Sequence, residues 1–390
     1  MTFPLLIESL AFGGDGIAVM PDGKKCFVPG GLPGDRAEVE IVQEKSRFAR
    51  GRIRRLLEKS PSRIESLCPL RNAPDPCPSC VYAELPYAEE LAWKQKQFAF
   101  FLSRFCGPER MDEPFPSPLR TGYRGKITLS CENGRAGYRA ADNTTLIPVD
   151  SCALAHEAIN ELLRRTRPDA DTERLCFRWT PDDGALCRRI PGKDAAAIRI
   201  LTERLGPMGS FRVPETSFFQ VNTAVACEMI RRVLVLIDEL KPAFMLDLFC
   251  GAGIFSLCAA EHAGTLRTLG AELDGAAVKC ARMNAAEHGL ADRCRFEQCD
   301  AAEFHLPEQE ADMERTLLLA DPPRGGMEKK MIGRILDLAP AHVLYISCAP
   351  DMLRRDLERL GGRYEVRRTG LLDMFPCTGH FESMTLLEKR

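Results

Sequence analysis

The sequence predicts a mixed α/β protein in three parts: an N-terminal OB-like β-barrel, a central β-rich α+β region and a C-terminal Rossmann-like sheet. Three observations predict it. Over residues 1–57, short strand-like runs are punctuated by the turn signals "GGDG", "PDG" and "PGGLPGD", and "AEVEIV" alternates with period two. From about 120 to 215, further short strand-like segments surround one helical stretch near "AHEAINELLRR". From 216 onward, strands and helices alternate, as in a sheet built with crossover connections.

The expected parts are therefore 1–57, 58–215 and 216–390, and 390 residues is long for a single core. Charged residues make up 28% and hydrophobic ones 45%, ordinary usage for a globular chain. No apolar run approaches a membrane span. The N-terminus has no basic region and carries an early glutamate, so no signal peptide is expected and the cytoplasm is the expected compartment. There, 17 cysteines point to metal or catalytic use before disulfides. A net charge of −2 excludes a global basic signature, so nucleic-acid binding has to rest on local patches.

One such patch follows the barrel pattern. Lys45, Arg47, Arg50, Arg52, Arg54, Arg55, Lys59 and Arg63 face a single acid, Glu58. The run fits either a solvated face or, on an oligonucleotide-binding barrel, a groove that tracks phosphates. The stretch at about 88–106 ("AEELAWKQKQFAFFLSRF" and its flanks) has the pattern of an amphipathic helix, a candidate to pack on the C-terminal part. Before it, Cys68, Cys77 and Cys80 form C-x8-C-x2-C, and Cys152 follows in "VDSCALAH". Four thiolates suit a [4Fe–4S] cluster or zinc. Zinc sites more often pair two C-x-x-C hairpins, and this chain has one.

"FMLDLFCGAGIFSLCAAEH" predicts an apolar strand, a glycine-rich turn and a helix. Gly251 and Gly253 let backbone approach a ligand, and the helix N-terminus adds a favourable dipole. Glu272 ends the next strand, placed to accept hydrogen bonds from ribose hydroxyls. A dinucleotide fingerprint wants a third glycine where Ser256 stands. Asp247, before the loop, suits the cationic sulfonium and amino group of S-adenosylmethionine better than a pyrophosphate. Two later strands also end in chemistry: "TLLLADPPRGG" in Asp321, with Arg324 beyond it, and "HVLYISCAP" in Cys348. "DMFPCTGHFESM" then carries Glu382. In open α/β sheets ligands bind beyond the carboxyl ends of the strands, so these groups should converge on one edge.

In this order, "FFQVN" (218–222), "DLFCGAG", "DPPRGG", "YISCAP" and "DMFPCTGHFE" resemble the RNA uracil-5-methyltransferases over nearly the whole chain. The resemblance implies a TRAM domain for the barrel, a [4Fe–4S] cluster on Cys68, Cys77, Cys80 and Cys152, and an S-adenosylmethionine-dependent methyltransferase at the C-terminus. It further implies Cys348 as nucleophile, Glu382 as base and Asp321 at the uracil and the donor's methionine region. Gln220, Asp247, Phe249, Gly251, Gly253, Glu272, Asp300 and Asp321 are the implied donor-binding positions. Lys45, Arg47, Arg50, Arg52, Arg54 and Arg55 are the expected RNA contacts. The first cysteine gap is three residues longer than the family's, in a loop with Pro74 and Pro76, and Ala349 and Cys377 stand where asparagine and histidine are common.

The chemistry explains these residue types. C5 of uracil is a poor nucleophile, and a thiolate adding to C6 makes it an enolate carbon able to take a methyl group. A base then removes the C5 proton and the thiol leaves. Reaching C6 implies a flipped base. The expected partner is RNA, 23S ribosomal RNA ahead of the tRNA T-loop, with neither DNA nor a membrane and with the chain acting as a monomer. A non-catalytic RNA-binding factor would leave Cys348, Glu382 and Asp321 unexplained.

Overall fold

The computed structural model describes residues 1–71, 76–191, 198–306 and 312–390; Pro74 lies outside the described residues. Strands β1 (Thr2–Leu10), β2 (Gly16–Val19), β3 (Lys25–Val28), β4 (Arg36–Glu44) and β5 (Phe48–Glu58) close into a barrel in the order β1-β2-β3-β5-β4. Period-two alternation turns Leu5, Ile7, Ala37, Val39 and Ala49 into its core. Its exit is pinned by buried Asp35, which accepts the Leu32 and Ser60 N–H groups at 2.7 and 2.8 Å. Arg63 pairs with Asp35 and, at 2.8 Å, with Glu84, so this member of the basic run is structural.

Helix α1 (Tyr87–Leu102) stops at Leu102 rather than near 106, shortly before Gly107–Pro108, which does not continue a helix. The middle region folds around an antiparallel sheet of β6 (Lys126–Glu132), β7 (Arg135–Arg139), β8 (Leu146–Pro148), β9 (Arg174–Thr180) and β10 (Gly184–Ile190), with α2 (Glu157–Arg165) between β8 and β9. The order is β10-β9-β6-β7-β8. A hairpin of β11 (Ile200–Arg204) and β12 (Ser210–Pro214) follows.

After α3 (Thr223–Leu240) comes the alternation expected of the C-terminal part: β13 (Phe244–Leu248), α4 (Ile254–His262), β14 (Arg267–Glu272), α5 (Gly275–Glu287), β15 (Cys294–Gln298), β16 (Thr316–Ala320), α6 (Lys329–Leu338), β17 (His342–Ser347) and α7 (Pro350–Leu360). β18 (Tyr364–Leu372) and β19 (Glu382–Lys389) close it as an antiparallel pair, giving the order β15-β14-β13-β16-β17-β19-β18. The central strands are largely apolar because helices cover both faces; Asp247 of β13 is a buried exception at the ligand edge. Met245, Leu317, Leu319, Leu344 and Ile346 meet Val225, Met229 and Val233 of α3 on one face. Leu246, Leu318, Val343 and Tyr345 meet Ile335, Leu353 and Leu357 of α6 and α7 on the other, together with Phe98 and Leu102 of α1. Among the described residues no helix is long and apolar enough to cross a membrane.

Candidate active site

Four parallel strands, β14, β13, β16 and β17, lie side by side and point their carboxyl ends at one edge. At β13, Asp247 is fully buried. Its Oδ2 accepts the Ser256 N–H at 3.1 Å and hydroxyl at 2.7 Å, while Oδ1 has no partner among the described residues. Burial pushes this carboxyl up to about 7, against the Ser256 hydrogen bonds and with help from Glu272.

The turn after β13 is tight. Phe249, Gly251 and Gly253 all have left-handed backbone (φ 66°, 54° and 79°). A Cβ on Gly253 would meet the Phe296 ring at 2.6 Å, so only glycine fits there. Glu272 Oε2 accepts the Gly251 N–H at 3.0 Å and Oε1 accepts the Asp274 N–H at 2.8 Å. The carboxylate therefore ties the glycine turn to the start of α5.

Beyond β16, Asp321 is half-buried and lies 3.4 Å from Gln220 Nε2. Gln220 Oε1 is buried without a partner among the described residues. Burial and the neighbouring Asp247 carboxylate push Asp321 up to about 7. Acids raised in this way, next to unpartnered carbonyl and carboxyl oxygens, suit a cationic ligand. Asp300, at the end of β15, is exposed and caps Ala302 N–H at 2.8 Å; no hydrogen bond joins it to the other site residues among the described residues.

The remaining pair comes from strands running in opposite directions. β17 and β19 pair with Ser347 opposite Ser383, and the Ser383 hydroxyl donates to the Ser347 carbonyl at 3.0 Å. Cys348 is the first residue beyond β17 and Glu382 the first residue of β19, so this register sets the two side by side at the sheet's edge. Burial pushes the Cys348 thiol up to about 12; Glu382 and Asp321 add to the rise and Arg324 opposes it. Glu382 is buried, with Oε2 unpartnered among the described residues. Its carboxyl is raised well above the usual range by burial and by Asp321, again against Arg324.

Arg324 was legible only as part of "DPPRGG"; its field on both Cys348 and Glu382 emerges from the fold. Beside Gln220 a small cleft opens between Tyr123, Lys126, Trp179 and Phe219, with Phe218 exposed nearby.

The other expected sites lie apart. On β5, Arg50, Arg52 and Arg54 alternate outward, and Lys45 and Arg47 are exposed in the turn before it. Acids blunt the patch: Arg54 pairs with Glu40 at 2.6 Å, Arg50 with Asp15 at 3.7 Å and Arg55 with Glu38 at 3.8 Å. Cys68, Cys77, Cys80 and Cys152 are all buried. Cys68 and Cys80 are hydrogen-bonded, lowering the first thiol and raising the second, while Cys77 feels both Cys68 and Cys152. Among the described residues no three His, Cys, Asp or Glu converge as a site for a metal ion. Burial raises the Tyr138 hydroxyl, and Cys152 beside it adds to the rise by its charge and a hydrogen bond. Four buried thiols are the donor type that an iron–sulfur cluster takes.

Comparison with known proteins follows this geometry. The family model described as tRNA (uracil-5-)-methyltransferase matches residues 205–390, and the TRAM domain matches 1–53. The 23S rRNA (uracil(1939)-C(5))-methyltransferase RlmD of Pseudomonas putida is 30% identical, covering 98% of this chain and 92% of its own length. An RNA methyltransferase of Gloeobacter violaceus is 29% identical over 100% of this chain and 96% of its own. In fold, the chain resembles the Pyrococcus abyssi tRNA (uracil-54, C5)-methyltransferase solved with S-adenosyl-L-homocysteine. The TM-score is 0.73 at 21% identity, covering 99% of this chain and 100% of that one.

Proposed function

The chain belongs to the RNA uracil-5-methyltransferase family and carries a TRAM domain, and from that premise we propose that it methylates C5 of a uridine in 23S ribosomal RNA through a covalent bond between Cys348 and uracil C6. The observation that carries the reading is the exit of Cys348 and Glu382 side by side from β17 and β19, beside Asp321. S-adenosylmethionine, when bound, supplies the methyl group.

Donor-binding roles go to Gln220, Asp247, Phe249, Gly251, Gly253, Glu272, Asp300 and Asp321. The raised Asp247 and Asp321 carboxyls would ionise toward a cationic donor. Because the Cys348 thiol is held up to about 12, its proton leaves as the bond to C6 forms; Asp321, near 7, is the neighbouring carboxylate poised to take it. Glu382, once ionised, takes the C5 proton, the C6–Sγ bond breaks as the C5=C6 double bond re-forms, and the leaving thiolate takes back the proton held on Asp321. Its high pKa makes Glu382 a strong base, and Arg324 favours the ionised form it needs.

Cys68, Cys77, Cys80 and Cys152 would hold a [4Fe–4S] cluster with a structural or RNA-positioning role. Lys45, Arg47, Arg50, Arg52, Arg54 and Arg55 would contact RNA phosphates, Arg50, Arg54 and Arg55 by exchanging their acid partners. The chain would act as a monomer, in the cytoplasm. Ribosomal RNA is preferred to tRNA because relatives named for 23S rRNA match along the whole chain.

Two measurements test this. Mapping 5-methyluridine in 23S rRNA and tRNA, from cells with and without the protein, should show one ribosomal position lost; loss in tRNA alone would reverse the substrate. Glu382→Gln should accumulate a denaturation-resistant protein–RNA adduct carrying the donor's methyl label, and Cys348→Ala/Glu382→Gln should form none. Persistence in the double variant would make another thiol the nucleophile. Cys377 is poorly placed for that, being buried with its thiol donating to the Arg120 carbonyl at 3.7 Å.

A further inference from the structure

Glu382 follows a stretch without regular structure, residues 373–381, and residues outside the C-terminal sheet hold that stretch. Lys94 of α1 is fully buried. Its ammonium donates to Glu90 Oε1 and Asp373 Oδ1, both at 2.8 Å, and to the Phe375 carbonyl at 3.1 Å. Glu90 Oε1 also accepts the Cys377 N–H at 2.6 Å. The Tyr123 hydroxyl donates to the Pro376 carbonyl at 3.1 Å, and the Tyr82 N–H to the Cys377 carbonyl at 2.9 Å. Arg120 closes the network 3.3 Å from Glu90 Oε2.

The stretch needs such holding. Cys377 has left-handed backbone, φ 66°, which residues other than glycine keep only where their surroundings dictate it. Glu90 and Tyr82 grip its amide and carbonyl from two sides. A buried ammonium shared between two carboxylates is weak evidence for stability, because desolvation offsets the attraction. What this one does fix is the path of the backbone leading to Glu382.

We propose that Lys94, acting with Glu90 and Asp373, is a positioning residue that sets the Glu382 carboxylate against the C5 proton through the backbone of residues 373–381. The proposal rests on Glu382 being the base. It places the effect on the second half of the reaction, after the thiol has added and the methyl group has arrived.

The test compares Lys94→Met with Glu382→Gln for RNA affinity, kcat per folded molecule and the fraction of enzyme held as methyl-labelled adduct at steady state. Lys94→Met leaves two buried carboxylates without their cation and is prone to unfold. Lys94→Met/Asp373→Asn, which leaves Glu90 paired with Arg120, is therefore measured beside it, and thermal unfolding reports the folded fraction of each. The expected result is unchanged RNA affinity, a fall in kcat of about 10- to 100-fold, and adduct accumulating as it does in Glu382→Gln. A purely structural role would lower the folded fraction and leave kcat per folded molecule intact, with no adduct. Adduct in Glu382→Gln but none in either Lys94 variant would overturn the positioning role alone. No adduct in Glu382→Gln would overturn the base assignment, and the positioning role with it.

Discussion

At the scale of single residues, the site is a set of acids and a thiol that burial raises above their usual ranges: Asp247, Asp321, Glu382 and Cys348. Cys348 keeps its proton because burial and two carboxylates oppose a thiolate, and Arg324 only partly offsets them. Asp247 shows the same physics without a partner charge of opposite sign. Its folded-state pKa lies near 7, above the usual 3.8, so the stability tied to it is complete below about 3.8 and is lost as pH rises through 7. Asp247→Asn keeps an acceptor for Ser256 and cannot ionise. Urea unfolding without donor should therefore find the variant more stable than the parent, the advantage growing between about pH 4 and 7 and flat above, at about 2–4 kcal/mol. An advantage independent of pH would mean that Asp247 ionises normally in the fold. The residue types at these positions were legible in the sequence, since each ends an apolar strand. Their protonation states were not, because desolvation depends on what covers them.

At the scale of elements, the glycine turn and the strands around it followed their local patterns. Apolar runs such as "TLLLA" became strands buried on both faces, and the turn formed where glycine alone fits against Phe296. The basic run is more mixed. Sequence spacing put Arg50, Arg52 and Arg54 on one face of β5, but it could not show that β4 brings Glu38 and Glu40 across from Arg55 and Arg52. If this face still tracks phosphates, replacing Arg52, Arg54 and Arg55 with alanine should weaken RNA binding. The slope of log affinity against log salt should then fall by about 1–2, near 0.7 for each lost single-strand contact. Unchanged affinity and slope would leave the run as a solvated face. Arg63, continuous with it in sequence, is already withdrawn by Asp35 and Glu84.

At the scale of the whole molecule, elements far apart in the chain meet around residues 373–381. α1 packs in the core of the C-terminal sheet, Tyr82 reaches the same stretch from two residues beyond Cys80, and Phe12 of the barrel sets its ring against Phe381 at 6.0 Å. Cys80, Cys152 and Cys377 share one core cluster. If Cys68, Cys77, Cys80 and Cys152 hold a [4Fe–4S] cluster, protein purified without oxygen should carry about four iron and four sulfide per chain, and Cys80→Ser should lose both. Stoichiometric zinc with no iron would replace that assignment and leave the methyltransferase intact. The sequence by itself determined the class of each part, the order of strands and helices, and the residues at the strand ends, because period and turn chemistry are local. The pairing of Cys348 with Glu382, the acids that answer the basic run and the grip of Lys94 on residues 373–381 were decided only by tertiary structure. Each joins segments that no local pattern connects, and each depends on burial, which exists only once the chain has closed around it.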